Sequence, residues 1–257
     1  MKIFAFICII LFTSSSYGQP LRIVTEKLPP LQFSQSDGAI TGAMADVVNL
    51  LLKKSNIECE IEMLPWARSY QIALERKNTL IFSMLRGEDR EDKFIWVGKL
   101  FAIDSYLVAL KDHNTFNINS IEDAKKHGVG SIRQDLIESY LRKHGFIEGE
   151  NLYLSSDYTV LWQMLFSHRT DLAATNSILW RYEIEDSHLD PKQIEIIYKI
   201  PDIASDLYLG ASIGTDEKII NQLKKALEEI KSNGQYQQIL QKWHLKAPTK
   251  QNIPNLL

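Results

Sequence analysis

Short apolar strands and amphipathic helices alternate from residue 21 onward, and this alternation constrains the fold more than any other feature. Residues 21–25, 59–64 and 80–84 have strand-like apolar patterns, and residues 43–54 and 66–75 between them have helical spacing. Parallel strands need a crossover of helical length between them, whereas antiparallel hairpins do not. The order therefore predicts an α/β unit with a mostly parallel sheet flanked by helices.

A second unit of the same kind follows in the sequence. Its strands are predicted at residues 106–110, 129–132, 152–154, 172–175 and 194–198. Its helices are predicted at residues 121–126, 136–144, 159–167 and 177–184, and two amphipathic helices come last, at 217–232 and 236–243. No Gly/Ser-rich linker separates the units. We therefore expect two α/β units side by side, joined by extended connections.

The first eighteen residues differ from the rest. Lys2 precedes an apolar run at residues 3–12, and small polar residues follow at 13–18. This layout is typical of a cleaved secretory signal peptide. The alternative is a membrane anchor, but a spanning helix needs about 20 apolar residues. We therefore predict a signal peptide at residues 1–18 and a secreted protein with no membrane anchor.

The charge balance and the metal-binding residue types exclude several classes of protein. Lys and Arg total 29 against 32 Asp and Glu, which gives a net charge of -3 and argues against a nucleic-acid binder. The six histidines are scattered without helical pairs, so no metal site is predicted. Cys59 lies in an alternating pattern and is expected to be a buried small hydrophobe. Gly128-Val129-Gly130 resembles a dinucleotide fingerprint, but Arg133 replaces its third glycine, so no cofactor is expected.

A charged turn follows the third predicted strand. The strand ends at Met84, and Arg86 and Arg90 follow on either side of Gly87. In an open parallel sheet, ligands bind at the carboxyl ends of the strands, and a guanidinium there can hold a carboxylate through two hydrogen bonds. The alternative is a solvated loop in which the arginines pair with the neighbouring acidic residues. The residues alone leave both interpretations open.

Seven motifs occur in the order and spacing of one known family. Along the chain they are Leu21-Arg22-Ile23-Val24-Thr25 with Pro29-Pro30, Asp37-Gly38 with Thr41-Gly42, Asp46, Ser83-Met84 to Arg90, Val129-Gly130, Arg169 to Asp171, and Asn233-Gly234-Gln235-Tyr236 with Lys242-Trp243. With this set the chain resembles the family 3 extracellular solute-binding proteins, the polar amino-acid-binding type that serves ABC importers. The resemblance extends over residues 21–245.

The resemblance implies the two-lobed periplasmic-binding-protein fold, type II, with two crossover strands as the hinge. Lobe 1 would comprise residues 21–101 plus 208–247, and lobe 2 residues 102–207. The lobes would close over a ligand held between them. The resemblance further implies a periplasmic monomer whose partner is an inner-membrane permease.

Site residues also follow from the resemblance. Arg90 matches the arginine that grips the ligand α-carboxylate, and Trp66 matches an aromatic residue that packs on the ligand side chain. Ser83 matches a position that makes polar contacts beside that arginine. Asp135 would cap the lobe 2 helix whose backbone N–H groups face the same carboxylate. A role for Trp66 in the core remains an open alternative.

Departures from the family pattern bear on the ligand. Asn176 stands where the family has the acidic residue that pairs with the ligand ammonium, and a neutral amide should hold an ammonium more weakly. Additional cations, Arg68, Arg86 and Arg133, fall in segments expected to face the cleft. An anionic ligand, such as a dicarboxylate, is therefore as well supported as a standard α-amino acid. Arg133 has an alternative role, pairing with an acidic residue of its own lobe (Asp135 or Asp157).

The function implied is binding without chemistry, with no catalytic residue, no metal and no cofactor. The ligand would be a small carboxylate-bearing solute, an amino acid or a related anionic compound, delivered to an ABC-type importer. One alternative is a dehydratase-like periplasmic enzyme on the same fold, for which Glu26, Asp135 or Asp157 would be the candidate acid or base. The other is a ligand-sensing module that acts through a partner.

Overall fold

The computed structural model describes residues 20–113, 116–176, 180–201 and 203–246. The predicted signal peptide, residues 1–18, lies outside the described residues, as do position 247 and the first residues of the helix predicted at 177–184. No helix among the described residues is long and apolar enough to cross a membrane.

The first sheet has five strands in the order β4-β1-β5-β12-β6. Their bounds are β1 Arg22–Thr25, β4 Ile61–Met63, β5 Thr79–Leu85, β6 Phe94–Ala102 and β12 Asp206–Ser212. Four strands run in one direction, and β12 runs opposite to both of its neighbours. All seven residues of the central strand β5 are buried, because helices cover both faces of the sheet. A two-stranded ribbon, β2 Phe33–Ser34 and β3 Ile40–Thr41, lies apart.

The second sheet repeats this topology. Its order is β11-β7-β10-β8-β9, and its strands are β7 Ser105–Leu110, β8 Val129–Ile132, β9 Leu152–Ser155, β10 Leu172–Asn176 and β11 Ile194–Ile200. Again four strands share one direction and one, β7, is antiparallel to both neighbours. The prediction of two mostly parallel α/β sheets is confirmed.

Eight α-helices flank the sheets in the described part of the chain. The first lobe carries α1 Ala43–Lys54, α2 Trp66–Glu75, α7 Glu217–Ser232 and α8 Gln235–Lys242. The second lobe carries α3 Ile121–Ala124, α4 Leu136–Lys143, α5 Tyr158–Phe166 and α6 Trp180–Asp186. The amphipathic pattern of α7 buries Ile220, Leu223, Leu227 and Ile230 on one side. Asp157 caps α5 by accepting a hydrogen bond from the Val160 N–H.

The chain passes between the lobes twice, between β6 and β7 and between β11 and β12. The two passages are adjacent, as a 2.8 Å hydrogen bond from the Ile103 N–H to the Ser205 carbonyl shows. The first passage is the two-residue connection 103–104 between β6 and β7, and the second runs from the end of β11 at Ile200 to the start of β12 at Asp206. The predicted limits, 21–101 with 208–247 and 102–207, lie within a few residues of these passages and stay a prediction.

Cys59 differs from its sequence-based expectation. It precedes β4 and is half-buried, and its thiol donates to the Leu21 carbonyl at 3.0 Å. The alternating pattern at residues 57–61 indicated a strand there, but β4 begins only at Ile61 and pairs over three residues.

Candidate functional site

The carboxyl ends of strands from both sheets meet at the junction of the two lobes. Glu26 follows β1, Ser83 and Leu85 lie near the end of β5, and Asn176 ends β10. Asp135 follows β8 and caps α4, as expected, by accepting a hydrogen bond from the Leu136 N–H at 2.6 Å. Such a junction is where open α/β sheets bind ligands.

Arg90 is the buried cation of this junction. It belongs to a short 3₁₀ helix, Glu88–Lys93, and is 1% exposed. Its guanidinium lies over the rings of Trp66 and Tyr70, with its carbon 5.3 and 4.9 Å from the ring centroids. Nη1 donates to the Leu85 carbonyl at 3.2 Å, and Nη2 donates to the Gln134 carbonyl of the second lobe at 3.0 Å. Nε is buried without a hydrogen-bond partner among the described residues.

Trp66 contacts the same point on the second lobe. Its Nε1–H donates to the Gln134 carbonyl at 2.8 Å, and its ring stacks on Tyr70 with centroids 5.7 Å apart. Trp66 is 3% exposed, yet it also lines both cavities described below. Two side chains of the first lobe therefore converge on one carbonyl of the second, and the lobes are closed on each other.

Ser83 and Asn176 are polar side chains with partners inside their own lobes. Ser83 adopts a left-handed φ of 59° at a bulge of β5 opposite β12, and its hydroxyl donates to Gln32 Oε1 at 2.8 Å. The Asn176 carbonyl oxygen accepts from Ser105 Oγ at 3.3 Å, and its amide lies 3.5 Å from the Tyr158 hydroxyl. Both residues line the smaller of the two junction cavities that are described below.

Three carboxyl groups face this junction, of which Glu183 is buried and Glu26 and Asp135 are half-buried. Loss of hydration raises the pKa of Glu26 well above its ordinary value, with further increases from Asp135 and Glu183, while Arg90 lowers it. Loss of hydration also raises the pKa of Asp135, and Arg90 acts in the opposite direction. Burial raises the pKa of Glu183 to about 8, against the hydrogen bond that it accepts from Trp162. The acids therefore outnumber the guanidinium that faces them.

Several cavities have walls from both lobes, and one of about 550 Å³ is lined by Phe33, Tyr182 and Trp243 among others. Two others meet at the junction, where Glu26, Trp66 and Tyr158 line both of them. The smaller has a volume of about 10 Å³, room for one water molecule. It is lined by Glu26, Leu28, Trp66, Ser83, Leu85, Ile103, Asp135, Tyr158, Asn176 and Leu207. The larger has a volume of about 310 Å³, the lower end of the range for small-molecule sites. It is lined by Glu26, Lys27, Pro29, Met63, Leu64, Pro65, Trp66, Ser156, Asp157, Tyr158, Thr159, Glu183 and Asp186.

The additional cations expected to face the cleft lie outside the two junction cavities, and their contact with a ligand stays a prediction. Arg86 pairs with Glu91 and lies over the rings of Trp96 and Tyr208, 5.1 Å from each centroid. Arg133 pairs with Glu148 at 2.8 Å, which differs from both partners proposed from the sequence. Arg68 is exposed. No arginine in the described part of the chain, Arg90 included, lines either junction cavity, but Arg90 is buried against Trp66, whereas Arg86 and Arg133 pair with acids of their own lobes.

Several residues of the junction did not stand out in the sequence. The sequence predicts Glu26 only as a candidate acid or base of the enzyme alternative, although it follows a strand of the first sheet, as Arg90 does. Gln134 takes part through its backbone carbonyl, which no side-chain pattern reveals. Glu183 lies inside a helix that carries no motif, so only the packing of α6 brings it to the cavity.

Sequence comparison places this geometry in a known context. Residues 21–246 match the bacterial extracellular solute-binding proteins, family 3. The histidine-binding periplasmic protein of Escherichia coli (strain K12) is 22% identical over 232 residues, which cover 88% of this chain and 87% of that protein. The arginine-binding periplasmic protein of Mannheimia haemolytica is 23% identical over 233 residues, which cover 89% of this chain and 92% of that protein.

Solved structures share the fold. A histidine kinase sensor domain with similarity to periplasmic binding proteins superposes with a TM-score of 0.79 at 17% identity, covering 90% of this chain and 98% of that one. An ancestral arginine-binding protein bound to arginine superposes with a TM-score of 0.75 at 22% identity, covering 87% and 97%. The fold is the type II periplasmic-binding-protein fold, and the chain belongs to the bacterial extracellular solute-binding proteins, family 3.

Proposed function

We propose that this protein binds a small carboxylate-bearing solute, an amino acid or a related compound, between its lobes in the periplasm and delivers it to an ABC-type importer. The observation that carries the proposal is the buried Arg90 guanidinium at the lobe junction. It is held by aromatic rings and two carbonyls, and its Nε has no partner among the described residues. A buried donor without an acceptor is costly, and a ligand carboxylate would satisfy it.

Closure of the lobes supplies the coupling between binding and delivery. The Gln134 carbonyl that Arg90 and Trp66 share belongs to the second lobe, so opening would free both donors for a ligand. A solute that contacts both lobes stabilises the closed form by its difference in affinity for the two forms. A permease could recognise the closed form, because its shape differs from that of the open form. The relatives are a histidine-binding and an arginine-binding periplasmic protein, which supports an amino acid as the solute.

The charges at the junction favour a solute that also carries an amine over one that is purely anionic. Glu26 and Asp135 line the smaller cavity and Glu183 lines the larger, while Arg86 and Arg133 pair with Glu91 and Glu148. A dicarboxylate would bring a second negative charge close to Glu26, Asp135 and Glu183 and raise their pKa further. An amino acid would bring a positive charge as well.

A thermal-shift screen tests the proposal. The mature protein is heated with each standard L-amino acid and with succinate, glutarate and opine-type compounds. A ligand raises stability by RT ln(1 + [L]/Kd), about 2.7 kcal/mol at a hundredfold excess over Kd. We expect saturable stabilisation by at least one carboxylate compound, and we expect Arg90→Gln to abolish it.

Arg68→Gln serves as the matched control, because Arg68 is an exposed guanidinium, whereas Arg90 is 1% exposed. It should retain the full midpoint shift, and circular dichroism should show that Arg90→Gln is folded. An unchanged midpoint shift in folded Arg90→Gln would contradict the proposal that Arg90 binds the ligand carboxylate. No stabilisation of the wild type by any carboxylate would contradict the proposed function itself.

An enzyme is the second candidate function, favoured by the raised pKa values of the carboxyl groups at the junction. Glu183, whose pKa is raised to about 8, stays largely protonated near neutral pH, as general acid catalysis requires. Mass spectrometry of any stabilising compound after incubation decides between the two. Recovery of the compound unchanged supports binding, and a new mass that requires Glu183 or Asp135 supports catalysis.

A further inference from the structure

We propose that Glu183 is a specificity-determining residue that receives a cationic side-chain group of the ligand, an ammonium or a guanidinium, in the larger cavity. This inference rests on the proposed function and deepens it, because it names the charge of the solute's side chain. The residue lies in α6 of the second lobe and is 4% exposed.

The hydrogen bonds of Glu183 are incomplete in a way that points to a ligand. One carboxyl oxygen, Oε2, accepts from Trp162 Nε1 at 3.1 Å. The other, Oε1, is buried and has no hydrogen-bond partner among the described residues. A buried acceptor left unpaired is costly to a fold and is uncommon in native proteins. Because Glu183 also lines the larger cavity, a donor placed there could reach it.

The two junction cavities are suited to opposite ends of an amino acid. The smaller one contains Ser83, Asp135 and Asn176, the positions at which the sequence predicts recognition of the α-carboxylate and α-ammonium. The larger one shares Glu26, Trp66 and Tyr158 with it and continues to Glu183. A ligand whose α-carbon groups occupy the smaller cavity after the lobes adjust would therefore direct its side chain toward Glu183.

The charged and titratable groups around the larger cavity favour a cation. Glu26, Asp157 and Asp186 line it together with Glu183, Asp135 lies close enough to affect the pKa of Glu183, and Tyr158 lines it as well. Lys27 also lines it, but its ammonium pairs with Asp186. A cationic side chain would gain from this excess of carboxyl groups, whereas a neutral side chain of the same shape could offer Oε1 only the weaker hydrogen bond of an uncharged donor.

The bland alternative is that Glu183 only orients Trp162. The two roles separate when a charged ligand is compared with its neutral isostere. L-citrulline has nearly the shape of L-arginine but an uncharged ureido group, and L-norleucine is a neutral counterpart of L-lysine. A structural role for Glu183 would change the binding of both members of a pair equally, and a specificity role would change only the charged member.

Isothermal titration of the full mature protein with these four probes is the test. We expect the wild type to bind arginine or lysine more tightly than its neutral counterpart by about 10- to 100-fold, the effect of one hydrogen bond to a charged group. We expect Glu183→Gln to reduce that ratio to less than about 3-fold, mainly by weakening the charged probe. Glu185→Gln is the matched control, because Glu185 is exposed on the same helix. It should preserve the wild-type ratio.

Two results would overturn the inference and leave the proposed function intact. One is an unchanged charged-to-neutral ratio in Glu183→Gln. The other is a wild type that binds neither charged probe at about 1 mM while it binds another carboxylate compound in an Arg90-dependent manner. If no carboxylate compound binds at all, the proposed function fails first, and the assignment of Glu183 fails with it.

Discussion

The two lobes share one strand topology but contribute opposite chemistry to their junction. The first lobe supplies a guanidinium packed on two aromatic rings, Arg90 with Trp66 and Tyr70. The second supplies the Asn176 amide and four acids, Asp135 beside the smaller cavity and Asp157, Glu183 and Asp186 beside the larger. Glu26 is the exception, an acid of the first lobe that faces those of the second. Two lobes with the same strand topology can therefore place different side chains at a site, because those side chains come from the residues that follow the strand ends.

The largest expected effect concerns one acid of the second lobe. Glu183 has an ordinary pKa of 4.5 and one of about 8 in the fold, so the folded protein binds more protons than the unfolded chain between these values. The free energy of unfolding should therefore fall as pH rises from about 4.5 to 8. Glu183→Gln should remove a pH-dependent loss on the order of 4 kcal/mol. The variant's melting temperature relative to wild type should be higher at pH 8 than at pH 5.

The control for this prediction is Glu185→Gln, measured at the same two pH values. Its melting temperature relative to wild type should not change with pH, because Glu185 is exposed. A Glu183→Gln variant that loses stability equally at both pH values would show that Glu183 is ionised in the folded protein.

The next effect concerns contact between the lobes. A Cβ added to Gly87 of the first lobe would lie 2.5 Å from Leu136 Cδ1 of the second. The Gly87 φ of -103° suits any residue, so Gly87→Ala should obstruct closure without straining the backbone. Overpacking of this kind costs about 1–3 kcal/mol, so affinity should fall about 5- to 100-fold. Titration with the compound that gives the largest thermal shift measures the loss.

Leu136→Ala provides the rescue for Gly87→Ala. It removes the atom that the new methyl group would meet, so the double variant should bind more tightly than Gly87→Ala alone. Equal affinities in these two variants would show that the obstruction lies elsewhere, for example at Asp89 Oδ1, which would be 2.9 Å from the new Cβ.

A smaller effect is expected from the hydrogen bond between Trp66 and the Gln134 carbonyl. Trp66→Phe keeps an aromatic ring beside Arg90 and Tyr70 but removes the Nε1–H donor. A neutral hydrogen bond contributes about 0.5–1.5 kcal/mol, so affinity should fall about 2- to 10-fold. A loss of affinity as large as that of Arg90→Gln would mean that the indole ring of Trp66, and not only its Nε1–H, contributes strongly to ligand binding.

The smallest effect is expected from the ion pair between Lys27 of the first lobe and Asp186 of the second. Their side chains are 48% and 43% exposed, and solvated pairs contribute about 0–1 kcal/mol. Asp186→Asn should therefore change affinity by less than about 5-fold, and the difference should shrink as salt is added. A change that persists at high salt would indicate that Asp186 contacts the ligand.

The alternation of strands and helices was sufficient to predict the two sheets and the buried strands, because apolar periodicity follows directly from burial. It did not distinguish β7 and β12, which are antiparallel to their neighbours, because direction depends on where the chain crosses between lobes. Arg86 and Arg90 looked alike in the sequence, yet one lies at the surface beside Glu91 and the other is buried. Only the packing of the two lobes distinguishes them. Whether Arg90, Trp66, Ser83, Asp135 and Asn176 contact a ligand stays a prediction.

The position of β12 has a consequence for the order in which the protein can be completed. The strand lies between β5 and β6 in the first sheet, yet it follows them in the chain by the whole length of the second lobe. Every strand of the second sheet, from β7 to β11, comes from one uninterrupted stretch. A chain that emerges from its N-terminus can therefore finish the second sheet first. The first sheet, which positions Arg90, can be completed only after residues 206–212 have been synthesised.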